Sequence, residues 1–178
     1  MQRVTFRGFE EALAVGGFMR FFGNIIWFVF GGWYLALLWL AGAVLAAITV
    51  IGLPISRAAL EMAKMSAFPF GKDVVHVREL DGKGLTAVTA LTGTVGFIVN
   101  VLWACTFGIV LFIAHLFAGI LSCILVITIP FGLQSFKLAG LSFWPVGRRV
   151  VSIEMARLAR EHNAKIKLGK MHRVPISS

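Results

Sequence analysis

Between Phe21 and Ser56 the chain carries no charge. Between Gly84 and Phe136 only His115 and the thiols of Cys105 and Cys123 ionise readily. Each run is longer than the roughly 20 apolar residues that cross a bilayer as a helix. Neither run has the polar outer face that a core helix of a soluble protein needs. The pattern therefore predicts a mainly α, polytopic helical membrane protein. The 36 uncharged residues of the first run would make one helix of about 54 Å, against a hydrocarbon core of about 30 Å. Two helices per run, bending at Gly31-Gly32 or Gly42, give the expected count of four transmembrane helices. One tilted helix per run is the alternative.

The runs belong to a duplication. A shift of 76 residues, without gaps, brings Asn24 and Trp27 onto Asn100 and Trp103, Gly32 onto Gly108, and Leu45 and Ile48 onto Leu121 and Ile124. The same shift brings Pro54 onto Pro130, Pro69 and Gly71 onto Pro145 and Gly147, and Val74-Val75 onto Val150-Val151. The matches include the residues with special backbone behaviour, so shared composition is a poor explanation and tandem repetition a good one. Each unit opens on N-x-x-W and runs through an apolar stretch to a proline, which ends or kinks the membrane helix. An amphipathic segment follows. In the first unit it carries Arg57, Glu61 and Lys64 along one helical face, suited to the membrane surface; in the second it carries Gln134 and Lys137.

After P-[FV]-G-[KR] come Val74-Val75-His76-Val77 and Val150-Val151-Ser152-Ile153, short β-branched segments expected to pair as strands outside the membrane. A charged helix follows over Ile153–Leu168, with Glu161 four residues from both Arg157 and Lys165. The organisation expected is an N-terminal cytoplasmic or interfacial segment over 1–20, membrane repeats over 21–76 and 100–152, a linker over 77–99, and a basic helix and tail over 153–178.

Composition sharpens this reading. Hydrophobic residues make up 58% of the 178 and charged ones 14%, with a formal net charge of +9. Lys and Arg mark the cytoplasmic side, and all three flanks of the apolar runs are basic. Both termini are therefore expected in the cytoplasm, with an even number of crossings per run and the two units parallel. Arg3 and Arg7 precede an apolar run too long for a signal-peptide core, so the N-terminal segment reads as a retained anchor. The basic charge suits anionic lipid headgroups, and no nucleic-acid motif accompanies it. No P-loop, nucleophile elbow or H-E-x-x-H is present, and the cysteines form no C-x-x-C. No enzyme activity, cofactor or metal is expected.

A few residues stand out. Asn24 and Asn100 are amides at the start of each apolar run and must find hydrogen-bond partners in lipid. Trp27 and Trp103, on the same face, suit interfacial anchors. His115 is the one titratable nitrogen within the apolar runs, and its counterpart in the first unit is Trp39. With Thr128 and Gln134 these polar residues are candidates to line a pore or to join helices. Gly42 with Ala46, and Ala118 with Ser122, have the small-x-x-x-small spacing that brings helices close in lipid. Arg57, Lys137, Arg148 and Arg149 are the basic residues expected at the membrane surface.

Several ordered motifs resemble the bacterial YccF family of inner-membrane proteins. They are Ile127-Thr128-Ile129-Pro130-Phe131-Gly132, Phe136-Lys137-Leu138-Ala139 and Trp144-Pro145-Val146-Gly147-Arg148-Arg149-Val150-Val151-Ser152. His76-Val77-Arg78-Glu79-Leu80, Thr92-Gly93-Thr94-Val95, Asn100, Trp103, His115 and Ala159-Arg160-Glu161-His162-Asn163-Ala164 extend the likeness across roughly Gly23 to Lys165. The resemblance implies a bacterial inner membrane and the duplicated domain, and carries no catalytic residue with it. The functional expectation is a homo-oligomeric ion-conducting channel or pore, because one small subunit has little room for a water-filled path. The alternatives are a non-conducting membrane module that binds lipid or a partner protein, and a small transporter.

Overall fold

A computed structural model describes residues 16–49, 52–81, 93–124 and 126–171. The expected N-terminal segment and most of the expected linker lie outside these residues. The apolar runs form two long helices, α1 (Gly16–Ala47) and α4 (Val95–Ile124). Each is followed by a shorter return helix, α2 (Leu53–Ala67) or α5 (Ile129–Ser142). Pro54 and Pro130 sit in the first turn of the return helices, where a missing N–H costs nothing. The strands β1 (Lys72–His76) and β2 (Arg148–Ser152) follow. A short helix α3 (Val77–Asp81) leaves the first strand and α6 (Ile153–Met171) leaves the second.

Among the described residues two helices, rather than the expected four, are long and apolar enough to cross a membrane. The return helices have 15 and 14 residues, short of the roughly 20 required. The strands pair as expected but end earlier, since Val77 and Ile153 already begin helices.

Both units are built alike. Each long helix widens to a π-helical turn, over Phe28–Gly32 and over Ala104–Gly108. A Cβ at Gly32 would lie 3.1 Å from the Ser66 carbonyl oxygen, and one at Gly108 would lie 3.1 Å from that of Ser142; the absent side chain admits the return helix. At the base of each hairpin a turn closes with Lys72 N–H donating to Pro69 O, and Arg148 N–H to Pro145 O, both at 3.2 Å. Gly71 and Gly147 take φ of 91° and 89° there, the positive value that a type II turn demands of its third residue.

The sheet reveals how the units are related. In its antiparallel register Val74 faces Val150, Lys72 faces Ser152 and His76 faces Arg148. That pattern maps onto itself under the 76-residue shift, so a pseudo-two-fold axis passes between Val74 and Val150. The same axis passes between Trp39 and His115, equivalent positions joined by a hydrogen bond.

The long helices do not lie along this axis. Gly42 and position 27 are about 22 Å apart along a helix, yet a Cβ on Gly42 would lie 2.7 Å from Trp103, the counterpart of Trp27. Helices lying along the axis would separate them by more than an indole spans. Phe131, at the start of α5, meets Trp27 and Phe70 at the base of the first hairpin. The tip of each hairpin therefore packs on the base of the other, and the long helices are inclined steeply to the two-fold axis.

This packing buries Leu35, Trp39, Ala43, Met62, Met65, Trp103, Leu111 and Leu138 in one core. The long helices keep much of their apolar surface exposed, including Val29, Phe30, Leu37 and Val44 on α1 and Ile113, Phe117 and Ile120 on α4. The polar groups collect elsewhere, on the sheet, on α3 and α6, and on the edges of α2 and α5.

Candidate functional site

The amides at the helix starts hold the turns at the hairpin bases. Asn24 Nδ2 donates to the Phe70 carbonyl at 3.0 Å, and the Phe70 N–H donates to Asn24 Oδ1 at 2.9 Å. Asn100 makes the same pair with Val146, at 3.2 and 3.0 Å. Trp27 and Trp103, expected at the membrane interface, are buried, and their indole N–H groups donate to the carbonyls of Ser66 and Ser142. His115 accepts at Nε2 from Trp39 Nε1 at 3.0 Å. Thr128 donates to the Ser122 carbonyl across the second bend. Gln134 is half-buried on α5.

The small residues divide into two roles. Gly42 receives the rings of Trp103 and Phe107, and Ala46 packs at the edge of the core. Ala118 and Ser122 line a mostly apolar cavity of about 190 Å³ between the units, with Trp27, Tyr34, Thr128 and Ser135.

The basic candidates do come together, apart from Lys137. Arg57, Arg148 and Arg149 line one groove of about 530 Å³ with Lys64, and among the described residues Glu61 is the one carboxylate lining it. The groove runs between the polar edge of α2 and the start of β2. Leu53, Pro54, Leu60 and Val146 form its apolar walls. Leu53 and Leu60 are exposed, which makes the groove continuous with the apolar surface. Desolvation lowers the Arg148 pKa, partly offset by Glu79, and the guanidinium donates to the Trp144 carbonyl at 2.9 Å. Among the described residues no ion pair engages Arg57, Arg148 or Arg149.

The equivalent place in the second unit is bridged by ion pairs. Lys137 occupies the position of Glu61, and Asp73 that of Arg149, so the charges are exchanged. Lys137 Nζ lies 2.6 Å from Asp73 Oδ1, and Arg160 lies 2.8 Å from Asp73 Oδ2. In the first unit Glu61 pairs with Lys64 at 3.3 Å and leaves the arginines to the groove. The reversal can be read from the repeat alignment, but its meaning depends on the head-to-tail packing that brings β2 beside α2.

Among the described residues no group of histidine, cysteine and carboxylate side chains could hold a metal ion. The YccF inner membrane component domain matches the chain twice, over residues 22–72 and 98–148. The inner membrane protein YccF of Escherichia coli (strain K12) is 41% identical over 147 residues, covering 83% of this chain and 97% of that relative. The protein of the same name from Shigella flexneri matches to the same extent. No solved structure matches the chain.

Proposed function

The chain belongs to the YccF family of inner membrane components, and from that premise we propose that it is a non-conducting membrane module, seated in one leaflet, that binds anionic lipid. The observation that carries this reading is the separation of apolar and charged surfaces along the two-fold axis. The sheet, with Lys72, Asp73, Arg148 and Arg149, straddles that axis, as does the contact between the long helices. If the helices crossed the bilayer along their own axes, the sheet would flank them near mid-depth, where charge is costly. With the two-fold axis along the membrane normal, the charged layer meets the headgroups and the exposed faces of α1 and α4 enter the acyl chains. Steeply inclined helices descend far less than their length of about 48 Å. The basic layer then faces the cytoplasm, where anionic lipid attracts it.

The channel reading keeps one specific support. Among the described residues two helices are long enough to cross, and α2 exposes Arg57 and Lys64 beside them, an edge that would need a water-filled axis between subunits. Against it, Asn24, Asn100, Thr128 and His115 spend hydrogen-bonding groups inside the subunit. Ion flux in proteoliposomes separates the two. The module gives none above protein-free liposomes for any ion at either voltage sign. Protein-dependent, saturable flux overturns it in favour of a homo-oligomeric pore.

A further inference from the structure

We propose that the groove between α2 and β2 is a binding site for the phosphate monoester headgroup of an anionic phospholipid, held by Arg57, Arg148 and Arg149 with Lys64. This deepens the lipid-binding reading above and rests on it.

Three observations converge. The groove, about 530 Å³, gathers four cations around one carboxylate. Arginine presents a planar fork of donors that matches phosphate oxygens in a bidentate way, so a groove lined by three arginines suits a compact dianion better than a single diester charge. Next, the molecule contains its own control. At the equivalent place in the second unit the exchanged residues Lys137 and Asp73 neutralise each other at 2.6 Å, with Arg160 on the same carboxylate. A purely structural requirement for joining return helix to strand is met there by an internal ion pair. In the first unit Glu61 turns to Lys64 on its own helix, and the arginines of β2 have no ion-pair partner among the described residues. Finally, the walls decide between a lipid and a free phosphate. Leu53 and Leu60 lead from the cations to the exposed apolar surface, a path for acyl chains that free phosphate would not use.

The test titrates the full chain, purified in detergent, with phosphatidic acid, phosphatidylglycerol and phosphatidylcholine, and reads bound lipid by native mass spectrometry. Phosphatidic acid is expected to bind best. The R148Q/R149Q variant should lose roughly tenfold or more of that affinity, the scale of a lost charge-assisted contact. Arg57→Gln should weaken it too. Arg157→Gln, on the exposed outer side of α6 and paired with Glu161, should not. Circular dichroism and melting temperature of each variant separate lost binding from lost folding; where the double variant fails to fold, the single variant Arg149→Gln, at an exposed position, carries the test. Equal binding by R149Q and the unmodified chain, or no preference for the monoester, overturns the proposal. So does competition by glycerol phosphate at the same concentration as the lipid, which would identify a free-phosphate site. The titration uses no bilayer, so its failure leaves the single-leaflet reading standing, and flux would sink that reading without touching the site.

Discussion

Trp39 and His115 hold the same place in two copies of one repeat and hydrogen-bond to each other, indole Nε1 to imidazole Nε2, at 3.0 Å. The repeats have diverged at the position where their axis brings them into contact. Two tryptophans there would face each other with donors only; a donor in one copy and an acceptor in the other resolve the conflict. His115→Ala should therefore cost roughly 2–4 kcal/mol, from a cavity plus an unpaired indole N–H. His115→Gln, which keeps an acceptor, should cost less. A double-mutant cycle with Trp39→Phe reads the coupling; additivity of the two substitutions would refute the pairing.

The two asparagines offer a matched comparison. Asn24→Ala and Asn100→Ala each remove two hydrogen bonds to a turn backbone. Asn100 is buried and Asn24 half-buried, so the loss at 100 should be the greater, at about 2–3 kcal/mol against about 1–2 kcal/mol. Thermal unfolding of the two variants in one detergent checks the order.

Gly42 and its counterpart Ala118 should respond unequally to a methyl group. A Cβ at Gly42 would lie 2.7 Å from Trp103 and 3.1 Å from Phe107, so Gly42→Ala must displace packed rings at a cost of about 1–3 kcal/mol. Ala118 borders the cavity of about 190 Å³, and Ala118→Gly should shift stability by about 1 kcal/mol or less. Equal effects would mean that the tip of the first unit does not meet the base of the second.

Asp73 ties α5 and α6 to the sheet, and its titration should be visible. Burial alone would raise its pKa, but hydrogen bonds from Lys137, the Val74 amide and Arg160 outweigh that and hold the carboxyl below its ordinary value. A depressed folded pKa stabilises the fold above the unfolded value of about 3.9, and the contribution is lost as pH falls through the folded value. Melting temperature measured from pH 6 downward should fall more steeply for the unmodified chain than for Asp73→Asn. Parallel curves would show that the Lys137 and Arg160 contacts contribute nothing.

Much of each unit was legible in the sequence because its matches fall on residues with few backbone options. Pro54 and Pro130 start the return helices, Gly71 and Gly147 make the positive-φ turns, and the valines of β1 and β2 pair. Trp27 and Trp103 are buried and not interfacial; an apolar ring with one donor suits a headgroup layer and a core carbonyl equally well. The strand pairing that joins the units was legible too, but the inclination of their helices was not. A tandem shift is compatible with any inclination of the helices to their axis, and the inclination is set by contacts such as Trp103 on Gly42. Arg57, Arg148 and Arg149 were singled out for their charge; their meeting in one groove follows from that packing.

The central claim is that the apolar hairpins enter one leaflet from the side that carries the charge. Ile48 and Val126, exposed at the two hairpin tips, report on it directly. With Cys105 and Cys123 replaced by Ala, single cysteines at 48, 126 and the α6 position 165 are treated with a membrane-impermeant maleimide from each side of sealed vesicles. The single-leaflet account expects position 165 to react from one side and neither tip to react from the opposite side. Reaction of Ile48→Cys or Val126→Cys from the side opposite α6 would show that the hairpins cross, and would contradict the account.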